Sequence, residues 1–228
     1  MGTYHRVMRQ VALRGNCLAG PLAASLETNY ADATLVAGDF KSTNFPFSSF
    51  KDLLRVTENE IALAIGNNED HVWRSILADQ TAALASGDTI PSVGASGAPI
   101  IGVVSGVTDG SDGKRLTSDF SLGEIRALID NPNGWRKINP YQFVLDFPQV
   151  YHTSTTVLLD VTVWDPDDCD TAIAANADLL FPDAEGAYVS GLGSKMNNLD
   201  GQFAALAASF APEYTAWLTA LSGGKTKP

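Results

Sequence analysis

The strand-forming residues of this chain are gathered into one stretch, residues 100–164, and helical periodicity lies on both sides of it. That distribution predicts an α+β fold: a helical bundle with an inserted small antiparallel β module and a long C-terminal helix. The stretch opens with the apolar residues 100–104, passes through a polar turn over 108–113 and reaches Leu116 and Thr117. Ser121 and Glu124 then stand at capping-box spacing ahead of Ile125, Leu128 and Ile129, so a short helix is expected over 121–130. Residues 141–145, 149–152 and 155–164 are rich in β-branched and aromatic side chains and are bounded by Asn, Pro, Asp or Gly, the pattern of strands.

Ahead of this module, Tyr4, Val7, Met8 and Val11 share one helical face, which Gly15 and Asn16 terminate. Pro21 suits a helix first turn, with Leu22, Leu26, Tyr30 and Ala33 following at steps of three and four. Residues 39–47 read as a loop. Ser48 or Ser49 can cap the next helix, which buries Phe50, Leu53, Leu54, Ile61, Ala64 and Ile65 before Gly66, Asn67 and Asn68 stop it. A further helix is expected over 69–85, with Val72, Trp73, Ile76, Leu77 and Leu84 inward and an antiparallel hairpin as its packing. Residues 1–88 therefore read as a helical region, and the Gly, Ser, Ala and Pro of 89–99 as a linker or exposed arm.

After the module, residues 165–170 read as an acidic turn and 171–180 show no clear periodicity. Pro182 opens a helix carrying Tyr188, Leu192 and Met196, and Asn197 with Asn198 breaks it. Asp200 caps the last helix, whose apolar stripe is Phe203, Leu206, Ala207, Phe210, Tyr214, Trp217, Leu218 and Leu221, with a kink expected at Pro212. Residues 165–221 are expected to pack with the N-terminal helices, leaving 222–228 as a flexible tail.

Charge narrows the function. The chain carries 26 acidic and 15 basic residues, a net charge of −11, with no cluster of Lys and Arg. Such a surface repels nucleic acid, because a grip on phosphate needs grouped cations. It suits simple solubility, or a channel wall along which DNA slides without sticking. No apolar run approaches the roughly 18 residues of a membrane span, and the polar N-terminus lacks a secretory signal, so no membrane association and a cytosolic site of folding are expected. Cys17 and Cys169 lack metal-ligand spacing and are expected to be reduced.

Signals for chemistry are weak. Gly94 to Ala98 is one glycine short of a serine-hydrolase elbow, which leaves Ser96 a poor nucleophile candidate. His5, His71 and His152 come from separate segments with no local pairing. The acidic runs 109–112 and 165–170 lack the twelve-residue loop and terminal Glu of a calcium site. Neither a Walker loop nor a GxGxxG is present. No catalytic residue, metal or cofactor is expected, and the chain reads as a non-enzyme. Trp135 beside Arg136 and Lys137, placed in a loop after Asn131, Pro132, Asn133 and Gly134, is a candidate anchor for a partner protein.

The order of short phrases is informative. Ile100 to Val104 leads to an Asp-Gly turn, Leu122 to Arg126, Asn131 to Gly134, Pro140 to Phe143 and Val150 to His152. Leu180 to Asp183, Ala187 to Gly191 and a long helix from Asp200 follow. Over residues 90–221 this order resembles the head-to-tail connector (adaptor) proteins of tailed bacteriophages. The resemblance implies a structural virion protein: a homo-oligomeric ring, a dodecamer, beneath the portal in the neck, with double-stranded DNA passing through its channel without sequence-specific binding. Its partners would be the portal, a tail or stopper protein, and other copies of itself, and it would reside in the host cytoplasm during assembly. The family's portal-inserting C-terminal segment carries over to residues 218–228, with Leu218, Leu221, Lys225, Lys227 and Pro228 as contacts. The arm from Val93 to Pro99 departs from the shorter connection the resemblance implies; Val93 and Pro99 on that arm, with Trp135 and Arg136, are expected to meet a neighbour or the tail. The alternatives are another neck or tail component, a stopper or tail terminator, and more remotely a hydrolase.

Overall fold

A computed structural model of the protein describes residues 2–19, 34–41, 46–68, 70–85, 91–101, 106–109, 136–139, 142–144 and 156–223. The expected second helix from Pro21 and those parts of the β module at 121–130 and 149–152 lie outside the described residues, as do Trp135, Lys225, Lys227 and Pro228. The fold is α+β. The chain divides into two compact units: a helical one, Met1–Ala64 with Asp165–Pro228, and a β-rich one, Ile65–Trp164.

The helical unit begins with α1 (Tyr4–Arg14), where Thr3 accepts a bond from the Arg6 N–H at the N-terminus. Its expected stripe is buried throughout: Tyr4, Val7, Met8 and Val11 are 0–1% exposed. Helix α2 (Phe47–Gly66) follows; on it Phe50, Leu54 and Ile61 share the buried face with Thr57 and Glu58.

After the β-rich unit the sequence continues through α3 (Pro166–Ala174), α4 (Glu185–Ser194) and α5 (Ala204–Leu221). The expected acidic turn at 165–170 is instead the start of α3. Asp165 accepts from the Asp167 N–H at 2.8 Å, Pro166 takes the first helical position, and Asp167 and Asp168 lie at the positive end of the helix dipole. Helix α4 is buried on every side from Ala187 to Gly193. It reaches its neighbours because it lacks side chains at two places. A Cβ at Gly193 would lie 2.3 Å from the Phe210 ring, and one at Gly191 would lie 2.4 Å from Thr57 and 2.6 Å from Tyr214. Asp200 caps a short 3-10 turn, Gly201–Phe203, that leads into α5. The α5 stripe closes on its own unit, with Phe203, Ala207, Phe210, Tyr214 and Leu221 buried, and Arg14 stacks 5.0 Å above the Phe210 ring. Pro212 lies within the helix on its exposed side, where its missing N–H costs a bond at the Ala208 carbonyl.

The expected helix over 69–85 is not formed. Residues Val72–Ile76 make a 3-10 turn, and the chain then enters β1 (Ala78–Gln80) and β2 (Leu84–Ala85). These and β3 (Gly106–Asp109) pair antiparallel with β6 (Thr156–Thr162). Residue 160 opposes both Gln80 and Gly106, so β1 and β3 occupy opposite edges of β6. β2 meets residues 156 and 157 on the same edge as β1. Thr108 and Asp109, expected in a turn, thus belong to a strand. Two further strands, β4 (Arg136–Asn139) and β5 (Gln142–Val144), form a separate hairpin, and Arg136 and Lys137 are strand residues rather than loop residues. Leu159 and Val161 of β6 are 0% and 2% exposed and form the centre of the unit's core with Leu77, Leu84 and Trp164.

Candidate interaction surface

In the β-rich unit the 3-10 turn, β1 and β6 enclose an open groove of about 610 Å³. His71, Arg74, Ser75, Asp79, Asp160 and Thr162 line it. Val72, 79% exposed, also lines it. The groove's floor is held by side-chain bonds: Gln80 Nε2 donates to Asp160 Oδ1 at 2.9 Å, while Asp79 Oδ2 accepts from the Ser96 hydroxyl at 2.7 Å and its N–H at 3.1 Å. Burial pulls the Asp79 carboxyl upward, yet the bonds from Ser96 and the Gln80 N–H outweigh it and hold the group below the ordinary carboxylate value.

These bonds also define what became of the glycine-rich arm. Residues 91–99 are a tight hairpin fastened to β1, not a linker. Val93 bridges Pro99, the Gly94 N–H donates to Ala98 at 2.8 Å, and the Ala95 N–H donates to Gln80. Gly97 takes φ +90° in the turn, and a Cβ on Gly94 would collide with Asp79. On the hairpin Val93 is 42% exposed and Pro99 is also exposed.

The other expected contacts fare differently. Leu218 is half-buried, and Leu221, expected to meet the portal, is buried with its own unit at 4% exposure. The reason is that α5 runs on to Leu221, placing that residue on the same stripe as Phe210 and Tyr214. Arg136 lies on β4.

The candidates for chemistry are committed elsewhere. The Ser96 hydroxyl donates to Asp79, and the His71 Nδ1 accepts from the Trp73 N–H at 3.1 Å, which closes the turn. Burial holds His71 below its ordinary value. His152 lies outside the described residues. Asp170, on α3, is bound by Lys51 at 3.5 Å and by Arg55 at 3.3 Å. Among the described residues no group of three or more His, Cys, Asp or Glu is placed to hold a metal ion, and no helix is long and apolar enough to cross a membrane.

A buried cluster in the helical unit was not visible in sequence. Glu58, 1% exposed, accepts from Tyr4 at 2.5 Å and Tyr188 at 2.8 Å, and the Cys169 thiol also bonds to it. Burial, reinforced by the Glu58 charge, pushes both phenols and the thiol well above their ordinary values. Protonated donors around a sealed carboxylate cross-link α1, α2, α3 and α4; no substrate reaches them. The other thiol, Cys17, is pushed up to about 11 by burial, against the opposing pull of Lys41. Both cysteines are free, buried and poor nucleophiles. At the unit's edge Glu60 accepts from Tyr214 at 2.6 Å and pairs with Lys195 at 2.7 Å, while Lys195 lies 4.3 Å from the Tyr214 ring. Set beside known proteins, the chain matches no family model, no curated protein and no solved structure.

Proposed function

We propose that this chain is a structural subunit of the head-to-tail adaptor type, assembling with copies of itself into a ring in the neck of a tailed phage. It joins the portal above to a tail or stopper protein below and leaves a channel for double-stranded DNA. The observation that carries the reading is the architecture. The segments before Ile65 and after Trp164 form one helical unit, and a β-rich unit is inserted between Ala64 and Asp165. An inserted β-rich unit between helical ends is compatible with the element order on which the resemblance rests. Two features support it further. The polar side chains best suited to chemistry are occupied as braces, which suits a scaffold, and a net charge of −11 suits a wall past which DNA moves.

The test is sedimentation of the purified full-length chain with portal rings from the same virion. The reading expects stoichiometric binding that weakens when 224–228 are removed. Absence of binding by the full-length chain sinks it. Binding to tail-tube ends, with none to portal, would instead make the chain a stopper or tail terminator.

A further inference from the structure

The first turn of α1 contains a histidine in an unusual setting. His5 is 1% exposed, and its Nδ1 accepts the Leu35 N–H at 2.8 Å. An acceptor nitrogen carries no proton, so the ring is neutral with its hydrogen on Nε2. Nε2 is buried without a hydrogen-bond partner among the described residues. The Phe47 ring meets the imidazole edge-on at 5.4 Å.

The balance at this site opposes a second proton. Protonating Nδ1 would turn it into a donor pointed at another donor. The positive charge would sit at the N-terminal end of a helix dipole, which disfavours cations. Among the described residues no carboxylate compensates: the influences on the ring are the burial itself and the Ile173 carbonyl, which favours the charged form without completing a bond to Nε2. Leu35 and Phe47 contribute an N–H and an apolar ring; Asn176, whose Oδ1 accepts the His5 backbone N–H at 3.1 Å, is uncharged. The charged side chain one turn along α1 is Arg9, of like sign. Burial accordingly holds His5 below its ordinary value.

The bond is also one of the ties on residues 34–41. Residues 34–41 are fastened at the far end by a bridge between Leu18 and Phe40 and by the Lys41 N–H on the Cys17 carbonyl at 2.8 Å. Phe40 packs there against Phe47 and Phe50. At the near end Leu35, 2% exposed, is held through His5. We propose that His5 is an acid-sensitive latch: gaining a proton expels the imidazole from Leu35 and opens the 34–36 end of the segment, while the Phe40 end and the rest of the helical unit stay closed.

The sign follows from linkage. A histidine whose folded value is depressed contributes stability that is present above its unfolded value, about 6.5, and is lost as pH falls through the folded value. The experiment is amide hydrogen exchange on the full chain between pH 7 and pH 4.5, with protection corrected for intrinsic rates. Protection at Leu35 should fall about tenfold per pH unit below about 6.5, until His5 is fully charged in the closed state. Tyr214 and Ile61 should keep theirs. In His5→Asn the amide oxygen can take the place of Nδ1 and does not titrate, so protection at Leu35 should become flat with pH. A flat profile in the wild type overturns the latch, as does an equal fall in His5→Asn or a fall at Tyr214 matching that at Leu35. Should His5→Asn not fold, the wild type still decides. Imidazole nitrogen resonances must show the Nε2-protonated form at pH 7 and titrate only below about 6.5, where the fall at Leu35 levels off; the other tautomer, or titration at or above about 6.5, overturns it.

Discussion

The two units are held together by opposite means. In the helical unit residues distant in sequence converge on one sealed point, where Tyr4, Glu58, Cys169 and Tyr188 meet. In the β-rich unit a strand, β6, organises the rest, because β1, β2 and β3 each pair with it and not with one another. The first arrangement makes stability collective, since losing one partner strands several buried polar groups at once. The second makes it divisible, since the hairpin at 91–99 is fastened by local bonds whose loss leaves the β6 ladders in place. A partner-binding element benefits from the second and a rigid body from the first.

The largest expected effect tests the collective side. Glu58→Ala leaves two tyrosine hydroxyls and a thiol buried without their acceptor and should cost about 3–5 kcal/mol in chemical denaturation. Exchange should accelerate in α1, α2 and α4 together. If only α2 responds, the cluster is not the shared anchor described here. Next in size is Gly193→Ala, whose new methyl meets the Phe210 ring; α4 and α5 must separate, at about 1–3 kcal/mol. The control is Gly201→Ala, which meets nothing within 4 Å and is expected to change stability by no more than about 0.5 kcal/mol.

On the divisible side, Asp79→Ala removes the acceptor for Ser96 and should cost about 1 kcal/mol. Faster proteolysis should be confined to the hairpin at 91–99, and spread of the damage through β6 would break the contrast between the units. Because the folded Asp79 value is depressed, its contribution is present above the ordinary carboxylate value and is lost as pH falls through the folded one. The smallest effect is removal of 224–228. Helix α5 ends at Leu221, where the Ser222 N–H closes on the Leu218 carbonyl at 3.0 Å, so the melting free energy should move by less than about 0.5 kcal/mol. A core-sized loss would show that the tail belongs to the fold.

Where the sequence could be read, a long one-faced pattern met a strong terminator. Helix α1 follows Tyr4, Val7, Met8 and Val11 and stops at Gly15; α2 stops at Gly66, before Asn67 and Asn68; α5 follows its stripe from Phe203 to Leu221. The helix start at 165–170 is legible in the order Asp165, Pro166, Asp167 and Asp168, a capping residue, a first-turn proline and first-turn acids. Residues 69–85 carry no such local signal. Val72, Trp73, Ile76 and Leu77 do lie at helical spacing, but Ala78, Asp79 and Gln80 have little strand propensity of their own and form β1 because β6 offers an unfilled edge.

The candidate surface divides along the same line. Glycines and prolines marked residues 89–99 as special, and Val93 and Pro99 are exposed on the hairpin built there. The groove was invisible, since His71, Arg74, Asp79 and Asp160 are separated by up to 89 residues and meet through strand pairing alone. Leu221 is buried within its own unit, an outcome periodicity cannot reveal because it identifies an apolar stripe without saying what covers it.

By itself, then, the sequence determined the helices with long apolar faces, their terminators, the central strand at residues 156–162 and the acid balance, because each is a property of neighbours along the chain. The tertiary structure alone decided that Glu58 is sealed by two tyrosines, that residues 78–80 extend as an edge strand, that the glycine-rich arm folds back on Asp79, and that α5 is covered by its own unit. Those outcomes depend on burial and on the pairing of remote segments, where the free energy of a residue is set by what lies across from it in space.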